Sequence, residues 1–315
     1  MKKLVIVLLI SILTLSFFSG GVAYAQGDME LPDPGITPDS PFYFADKWAK
    51  QLSLMFTFRE EAKVEKALRY AEERLAEMNA MLVKNKTRAT TQATNEYNNY
   101  LAIATQYMER AREKGVDTSE MVTIGVSKHI AFLNESIDDV GENEQRVMTE
   151  ARERARACQE TAVRTMAQGD PEKAIRTNLM LMEQQLNRIR VRSEVQQATG
   201  LQLELQEFER LNNLGQEISQ IAKGLGKGTT VDQLIGQATA NHLAVLAEVH
   251  ERTQVQAQGA VENAMQVCVE NYERIVIRLQ ERNMLGEISE EPPIPEGIPE
   301  SLRHRISSGG SGKRP

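Results

Sequence analysis

Apolar side chains recur every three or four residues along most of the chain, in stretches separated by glycine, proline or short polar runs. This spacing places them on one side of an α-helix, so the pattern indicates a series of amphipathic helices. Alanine, glutamine, glutamate, arginine, leucine and methionine, which favour helices, are abundant, and aromatic residues make up only 5% of the chain. The pattern therefore predicts an all-α fold. The clearest amphipathic stretch contains Val64, Ala67, Leu68, Ala71, Leu75, Met78 and Leu82.

Two stretches in the middle of the chain resemble each other. Lys114-Gly115 recurs as Lys227-Gly228, and His129 with the apolar residues after it recurs as His242 at the same spacing from the glycine. The helical segments before these glycines also correspond, with an offset that is shorter by two residues. Self-similarity over this length indicates a duplicated unit large enough to form a domain.

The glycine, proline and polar residues that interrupt the apolar pattern predict a tandem pair of antiparallel helical-bundle repeats with about four helices each. The first repeat, with an N-terminal cover helix, spans residues 40–169, and the second spans residues 170–285. A proline-rich leader over residues 26–39 precedes them. Proline, glycine and serine dominate residues 286–315, and this composition predicts a disordered tail.

Residues 1–25 have the composition of a secretory signal peptide. Lys2 and Lys3 precede an apolar run over residues 4–18, and small residues lead to a cleavage site between Ala25 and Gln26. The run is shorter than the 20 or so residues of a typical membrane span. We therefore expect a protein exported to the periplasm, the cell surface or the medium, and the alternative is an uncleaved N-terminal anchor.

The first predicted helix carries an aromatic stripe formed by Phe44, Trp48, Leu52 and Met55. Apolar stripes at helical spacing usually face a core, so we expect this helix to cover the open face of the first repeat. The alternative is peripheral contact with a membrane or a partner through Phe44, Trp48 and Met55.

The net charge and the absence of catalytic motifs exclude some classes of function without identifying one. The net charge of −7 argues against a nucleic-acid-binding protein, which would concentrate basic residues on one face. No serine, histidine and acid form a recognisable nucleophile pattern. We expect a protein that is not an enzyme, carries no cofactor and binds another envelope or surface protein through its helical faces.

His129 and His242 are the strongest candidates for a special role, because they occupy matching positions in the two copies. Their helical phase points them inward, which favours structural histidines with satisfied hydrogen bonds. The alternative is a small-ligand or metal-binding protein that uses them, although a metal site needs three or four ligands.

Two other residue pairs carry candidate chemistry. Cys158 and Cys268 lie on apolar helical stripes, where they either remain free and buried or form a disulfide in an oxidising compartment. Asn85 and Asn134 begin the acceptor pattern for N-glycosylation.

The start of the helical region resembles the family known as domain of unknown function 5667. The resemblance rests on residues 37–43 (TPDSPFY), the amphipathic segment 48–58 and residues 71–77 (AEERLAE). It implies an exported or membrane-tethered helical protein of bacteria or archaea, and some members have tandem copies. The second copy of this chain keeps only the helical part. The resemblance implies no enzymatic activity.

Overall fold

The computed structural model describes residues 31–137, 140–194, 198–286, 288–293, 295 and 303. The predicted signal segment, its cleavage site at Ala25 and Gln26, and most of the predicted tail lie outside the described residues.

The described residues form nine α-helices and no β-strand, as the apolar spacing predicts. They are α1 (Tyr43–Met55), α2 (Glu60–Val83), α3 (Thr87–Glu113), α4 (Ser119–Ser136), α5 (Glu142–Gly169), α6 (Pro171–Glu194), α7 (Ala198–Gly224), α8 (Gly228–Arg252) and α9 (Val255–Gln280).

Helix boundaries confirm the tandem pair of four-helix repeats. Helices α2 and α6 each contain 24 residues, and α3 and α7 each contain 27 residues. Helix α9 begins as far after His242 as α5 begins after His129. The first repeat is therefore α2 to α5 and the second is α6 to α9. Helix α1 precedes the first repeat and has no counterpart in the second.

The backbone conformation of the glycine after the second helix of each repeat shows which glycine of the second copy corresponds to Gly115. Gly115, after α3, has a φ of 78°, and Gly226, after α7, has a φ of 73°. Side chains disfavour this left-handed conformation, so glycine marks the equivalent position in both turns. Gly226 is thus the counterpart of Gly115, whereas Gly228 already begins α8. The pairing of Lys114-Gly115 with Lys227-Gly228 is therefore wrong by two residues. The two additional residues of the second copy lie after the glycine turn, not before it.

Three clusters of buried apolar side chains form the core, and one of them joins the two repeats. The first lies mainly in α2 to α5 and the second in α6 to α9. In the third cluster, Val163 and Met166 of α5 pack with residues of the second repeat that include Ile175 and Leu214. The two repeats are therefore joined through shared apolar packing.

The first residues of the segment predicted as a tail pack against the second repeat. Ile288 belongs to the third cluster, together with Val276 and Leu279 of α9. The Tyr272 hydroxyl donates a hydrogen bond of 2.8 Å to the Ser289 carbonyl oxygen. The predicted start of the tail at residue 286 is therefore too early. The prediction rested on composition, and the single apolar side chain of Ile288 among glycine, glutamate and proline does not alter that composition enough to be noticed.

Gly236 of α8 provides a test of this packing, because a Cβ atom there would lie 3.0 Å from Ile288 Cδ1. Alanine in a helix interior is favoured over glycine by about 1 kcal/mol. We expect Gly236→Ala to raise the free energy of unfolding by about that amount in an Ile288→Ala background, and to raise it less or lower it in the parent. Urea unfolding of the four proteins measures this coupling. Equal effects in both backgrounds would contradict the contact.

Candidate functional site

Helix α1 is attached to the first repeat through a buried ionic cluster, defined here as Tyr43, Asp46, Arg74 and Glu77. Arg74 of α2 is fully buried, and its Nη2 atom lies 2.5 Å from Asp46 Oδ2 and 3.0 Å from Glu77 Oε1. Its Nη1 atom donates a hydrogen bond of 2.6 Å to the Tyr43 hydroxyl, which donates in turn to Glu77 Oε2 at 3.0 Å. Each member of the cluster is therefore bonded to another member.

Burial sets the electrostatics of the ionic cluster. It raises the pKa of Glu77 to about 7, against the attraction of the Arg74 guanidinium, which lowers it. Burial also disfavours the charged form of Asp46, but hydrogen bonds from Lys50 and Arg74 outweigh it and lower the pKa of that carboxyl. A buried arginine without partners is strongly unfavourable. The two groups that α1 supplies, Tyr43 and Asp46, are therefore part of what allows Arg74 to be buried.

Further polar contacts hold α1 along its length. Lys47 forms an ion pair with Glu96 of α3. Near the C-terminal end of α1, Lys66 of α2 donates hydrogen bonds of 3.0 Å to the Ser53 hydroxyl and 2.8 Å to the Thr57 hydroxyl. The negative end of the helix dipole also stabilises a cation near the C-terminal end of α1. The N-terminal end of α1 thus meets the middle of α2 and its C-terminal end meets the start of α2, so the two helices run antiparallel.

Helix α1 gives the first repeat a contact that α5 gives the second. Glu207 occupies the same place in α7 as Glu96 occupies in α3, and its Oε2 atom is 2.8 Å from Arg156 Nε of α5. Lys47 of α1 supplies the corresponding cation to Glu96. Helix α1 therefore closes the N-terminal end of the repeat array.

The opposite side of α1 carries the aromatic surface, defined here by seven exposed apolar residues. At about 100° per residue, the four of these residues within α1 span an arc of about 80° on the side away from Asp46 and Lys50. The remaining three flank the helix. The residues are Phe42, Phe44, Trp48, Leu52, Met55, Phe56 and Phe58, and Trp48 is 69% exposed.

The prediction that the aromatic stripe covers the first repeat is therefore wrong. Helix α1 covers the repeat with the side that carries Tyr43, Asp46 and the buried Leu54, and Phe44, Trp48 and Met55 face outward. The prediction assumed an apolar surface beneath α1. The surface beneath it contains Arg74 and Glu77, whose charges need partners. A signal was present, because both residues share a side of α2 with the buried apolar residues that flank them.

The two matched histidines each pack against an aromatic ring. His129 lies beside Tyr97 with ring centroids 5.6 Å apart, and His242 lies beside Phe208 at 5.7 Å. Phe208 occupies the same place in α7 as Tyr97 occupies in α3, so the whole pair is duplicated. In the first copy the Tyr97 hydroxyl lies 3.3 Å from His129 Nδ1. In the second copy phenylalanine offers no such group, and His242 Nε2 has no hydrogen-bond partner.

Both histidines are buried, each with 3% of its surface exposed. Burial lowers the pKa of His129 to about 3 and that of His242 to about 4. In the described part of the chain, no group of three or more histidine, cysteine, aspartate or glutamate residues is arranged to hold a metal ion. Each histidine instead packs against one aromatic ring of its own repeat.

The two cysteines are free and lie in different core clusters. Burial raises the pKa of the Cys158 thiol to about 11, although a hydrogen bond with Thr105, 3.3 Å away, lowers it. Burial likewise raises the pKa of Cys268, which lies 3.8 Å from Asn212 Nδ2. Of the two alternatives that the sequence left open, the structure has the free buried thiols.

The two glycosylation candidates differ in accessibility. Asn85 is exposed in the turn after α2, with a left-handed φ of 52°. Asn134 is buried in α4, and its side-chain oxygen lies 3.5 Å from Arg152 Nη1. A glycan on Asn134 is incompatible with this fold, because the sequence motif carries no information about burial.

Two four-helix repeats, joined by shared packing and preceded by an additional helix, define an all-α tandem-repeat protein. The family Domain of unknown function (DUF5667) matches residues 35–256, and the chain belongs to this family. The match begins before α1 and continues into α9. No curated protein matches the chain.

The chain is similar to one solved structure, a circular tandem repeat protein with novel repeat topology and enhanced subunit contact surfaces. The TM-score is 0.53 and the sequence identity is 12%, with 75% of this chain and 52% of that chain covered. This chain therefore spans about half the length of that protein. At this identity the likeness concerns the fold alone. Separately, no helix in the described part of the chain has the length and hydropathy to cross a membrane.

The lowered pKa of His242 predicts a loss of stability in acid. The folded-state pKa is about 4 and the ordinary value is 6.5, so the unfolded chain binds a proton first as the pH falls. The stabilisation is complete above about pH 6.5 and is lost between 6.5 and 4, by up to roughly 3 kcal/mol. We expect His242→Gln to reduce the dependence of the free energy of unfolding on pH over this window, measured by urea unfolding.

His129→Gln provides a parallel test in the first repeat, because its pKa is lowered in the same direction. The two histidines pack on different aromatic rings, so the effects of the two substitutions should add. An unchanged pH dependence in both variants would show that the pKa values of these imidazoles are the same in the folded and unfolded chains, and would contradict the prediction.

Proposed function

We propose that this protein is a non-catalytic, exported docking protein of the cell envelope. Its two repeats form a helical scaffold, and α1 presents the aromatic surface to a binding partner in the envelope. The sequence of residues 1–25, with its basic start, apolar run and small residues before Gln26, supports export.

The observation that carries this proposal is the orientation of α1. A terminal cap that only keeps a repeat array soluble presents a polar outer face. Helix α1 does the opposite, with Asp46 turned toward the repeat and Trp48 toward solvent. Apolar patches of more than a few hundred Å² are uncommon on monomeric proteins and mark interaction sites. The aromatic surface is therefore the best-supported functional site in the described chain.

The pairing of buried acids supports a non-catalytic role. Asp232 of α8 is fully buried, and its Oδ1 atom lies 2.8 Å from Arg278 Nη2. Glu207 is likewise buried between Arg156 and Arg210. Carboxylates bound in this way hold helices together, and removing one partner from such a pair is strongly destabilising.

Envelope binding by a purified chain tests the proposal. A chain of residues 26–315 keeps the whole described fold and is added to envelopes isolated from cells that naturally produce the protein. We expect Phe44→Ser, Met55→Ser and Phe56→Ser together to reduce the sedimenting fraction at least tenfold, because burial of each apolar side chain contributes about 1.5–3 kcal/mol. Circular dichroism and urea unfolding should show that this aromatic-surface variant remains folded.

A matched control carries three serine substitutions at exposed apolar positions of the second repeat, Val191, Val255 and Ile277. It removes the same number of exposed apolar side chains from elsewhere on the surface, and its envelope binding should equal that of the parent. The proposal is wrong if the aromatic-surface variant binds envelopes as strongly as the control.

A further inference from the structure

We infer that the occupant of the aromatic surface is the lipid–water interface of a bilayer. This inference rests on the proposed function and names the partner of the same site. Interfacial helices lie flat, with aromatic and other apolar side chains inserted among the lipid headgroups and the polar face turned away from the membrane. Helix α1 has this division, and its polar face is held by the first repeat.

The shape of the aromatic surface favours a lipid interface over a second copy of the chain. Its five aromatic side chains are each at least 65% exposed. At 150–250 Å² per aromatic side chain, they offer about 500–900 Å². A stable protein–protein interface buries about 800 Å² per partner, but it also requires complementary shapes. A single helix with flanking residues is a convex ridge, and lipid can adapt to it without a matching groove.

The other end of the repeat array also argues against head-to-tail association of two copies. Val163 and Met166 of the first repeat belong to the cluster that contacts the second repeat. Val276 and Leu279, which occupy the same places in α9 as these two residues occupy in α5, belong to the cluster that contains Ile288. The segment around Ile288 therefore occupies the surface to which a further repeat would bind.

The charges on α1 and on the whole chain indicate that binding to lipid would be driven by apolar contacts and not by attraction to anionic headgroups. The charged residues of α1 are engaged with the protein, since Asp46 pairs with Arg74 and Lys47 pairs with Glu96. The whole chain carries a net charge of −7. Attraction to anionic headgroups is therefore a weak contribution, and binding should occur on zwitterionic lipid and depend little on salt.

Trp48, the sole tryptophan, reports directly on the site. We expect the chain of residues 26–315 to emit as an exposed indole in buffer and to shift to the blue when phosphatidylcholine vesicles are added. Iodide quenching should fall in parallel, and the protein should float with the vesicles. Raising NaCl from about 0.1 to 0.5 M, which shortens the screening length about twofold, should change the partition coefficient less than threefold.

The two variants described above separate the aromatic surface from other effects of substitution. The aromatic-surface variant retains Trp48, and its partition coefficient should fall about 100-fold or more because three apolar side chains are lost from the contact. The control with substitutions at Val191, Val255 and Ile277 should partition as the parent does.

Three results would overturn the lipid inference. If phosphatidylcholine vesicles leave Trp48 unchanged while isolated envelopes still bind through the aromatic surface, the partner is a protein and the proposed function stands. A concentration-dependent blue shift without lipid, with a doubled mass in sedimentation, identifies a second copy as the occupant. Binding to neither vesicles nor envelopes removes both the inference and the proposed function.

Discussion

The pairing of Arg74 is the interaction on which the arrangement at the N-terminal end of this protein depends. Arg74 is fully buried in α2, and a buried guanidinium requires anionic and polar partners. Glu77 supplies one of them from the same helix, and Asp46 and Tyr43 supply the others from α1. This requirement turns the polar face of α1 inward, so its aromatic side faces solvent. An apolar helix face that would normally enter a core is therefore exposed.

The duplication explains how the rest of the array is closed. Glu96 and Glu207 occupy equivalent positions, and each binds a cation from the preceding element, Lys47 of α1 or Arg156 of α5. At the other end, Ile288 packs beside the counterparts of residues that join the first repeat to the second. Two repeats with an end segment at each terminus thus account for the described fold. The two closures differ in chemistry, because only the N-terminal one leaves aromatic side chains exposed.

Helices and their repetition are predictable from the sequence because they depend on local spacing, as in the stripe from Val64 to Leu82. The orientation of α1 is not, because it depends on which residues lie beneath it, and Arg74 and Glu77 are distant from Asp46 along the chain. The same limit applies to Asn134, whose burial is a property of packing. Gly226 shows a different limit, since the sequence has glycine at both 226 and 228 and the left-handed backbone angle identifies Gly226 as the counterpart of Gly115. The inward phase of His129 and His242 followed from helical spacing, but their aromatic neighbours required the tertiary structure.

Amide hydrogen exchange in an Arg74→Met variant tests the role of the ionic cluster most directly. Breaking a buried ion pair costs about 3–5 kcal/mol, and the local effect should appear at α1. We expect the amides of Tyr43–Met55 to lose protection at least 100-fold while those of the second repeat keep theirs. Arg164→Met, which removes a partly exposed arginine paired with Glu217, should leave α1 unchanged. Unaltered protection of α1 in the Arg74→Met variant would contradict the account, because α1 would then be held and oriented by other contacts.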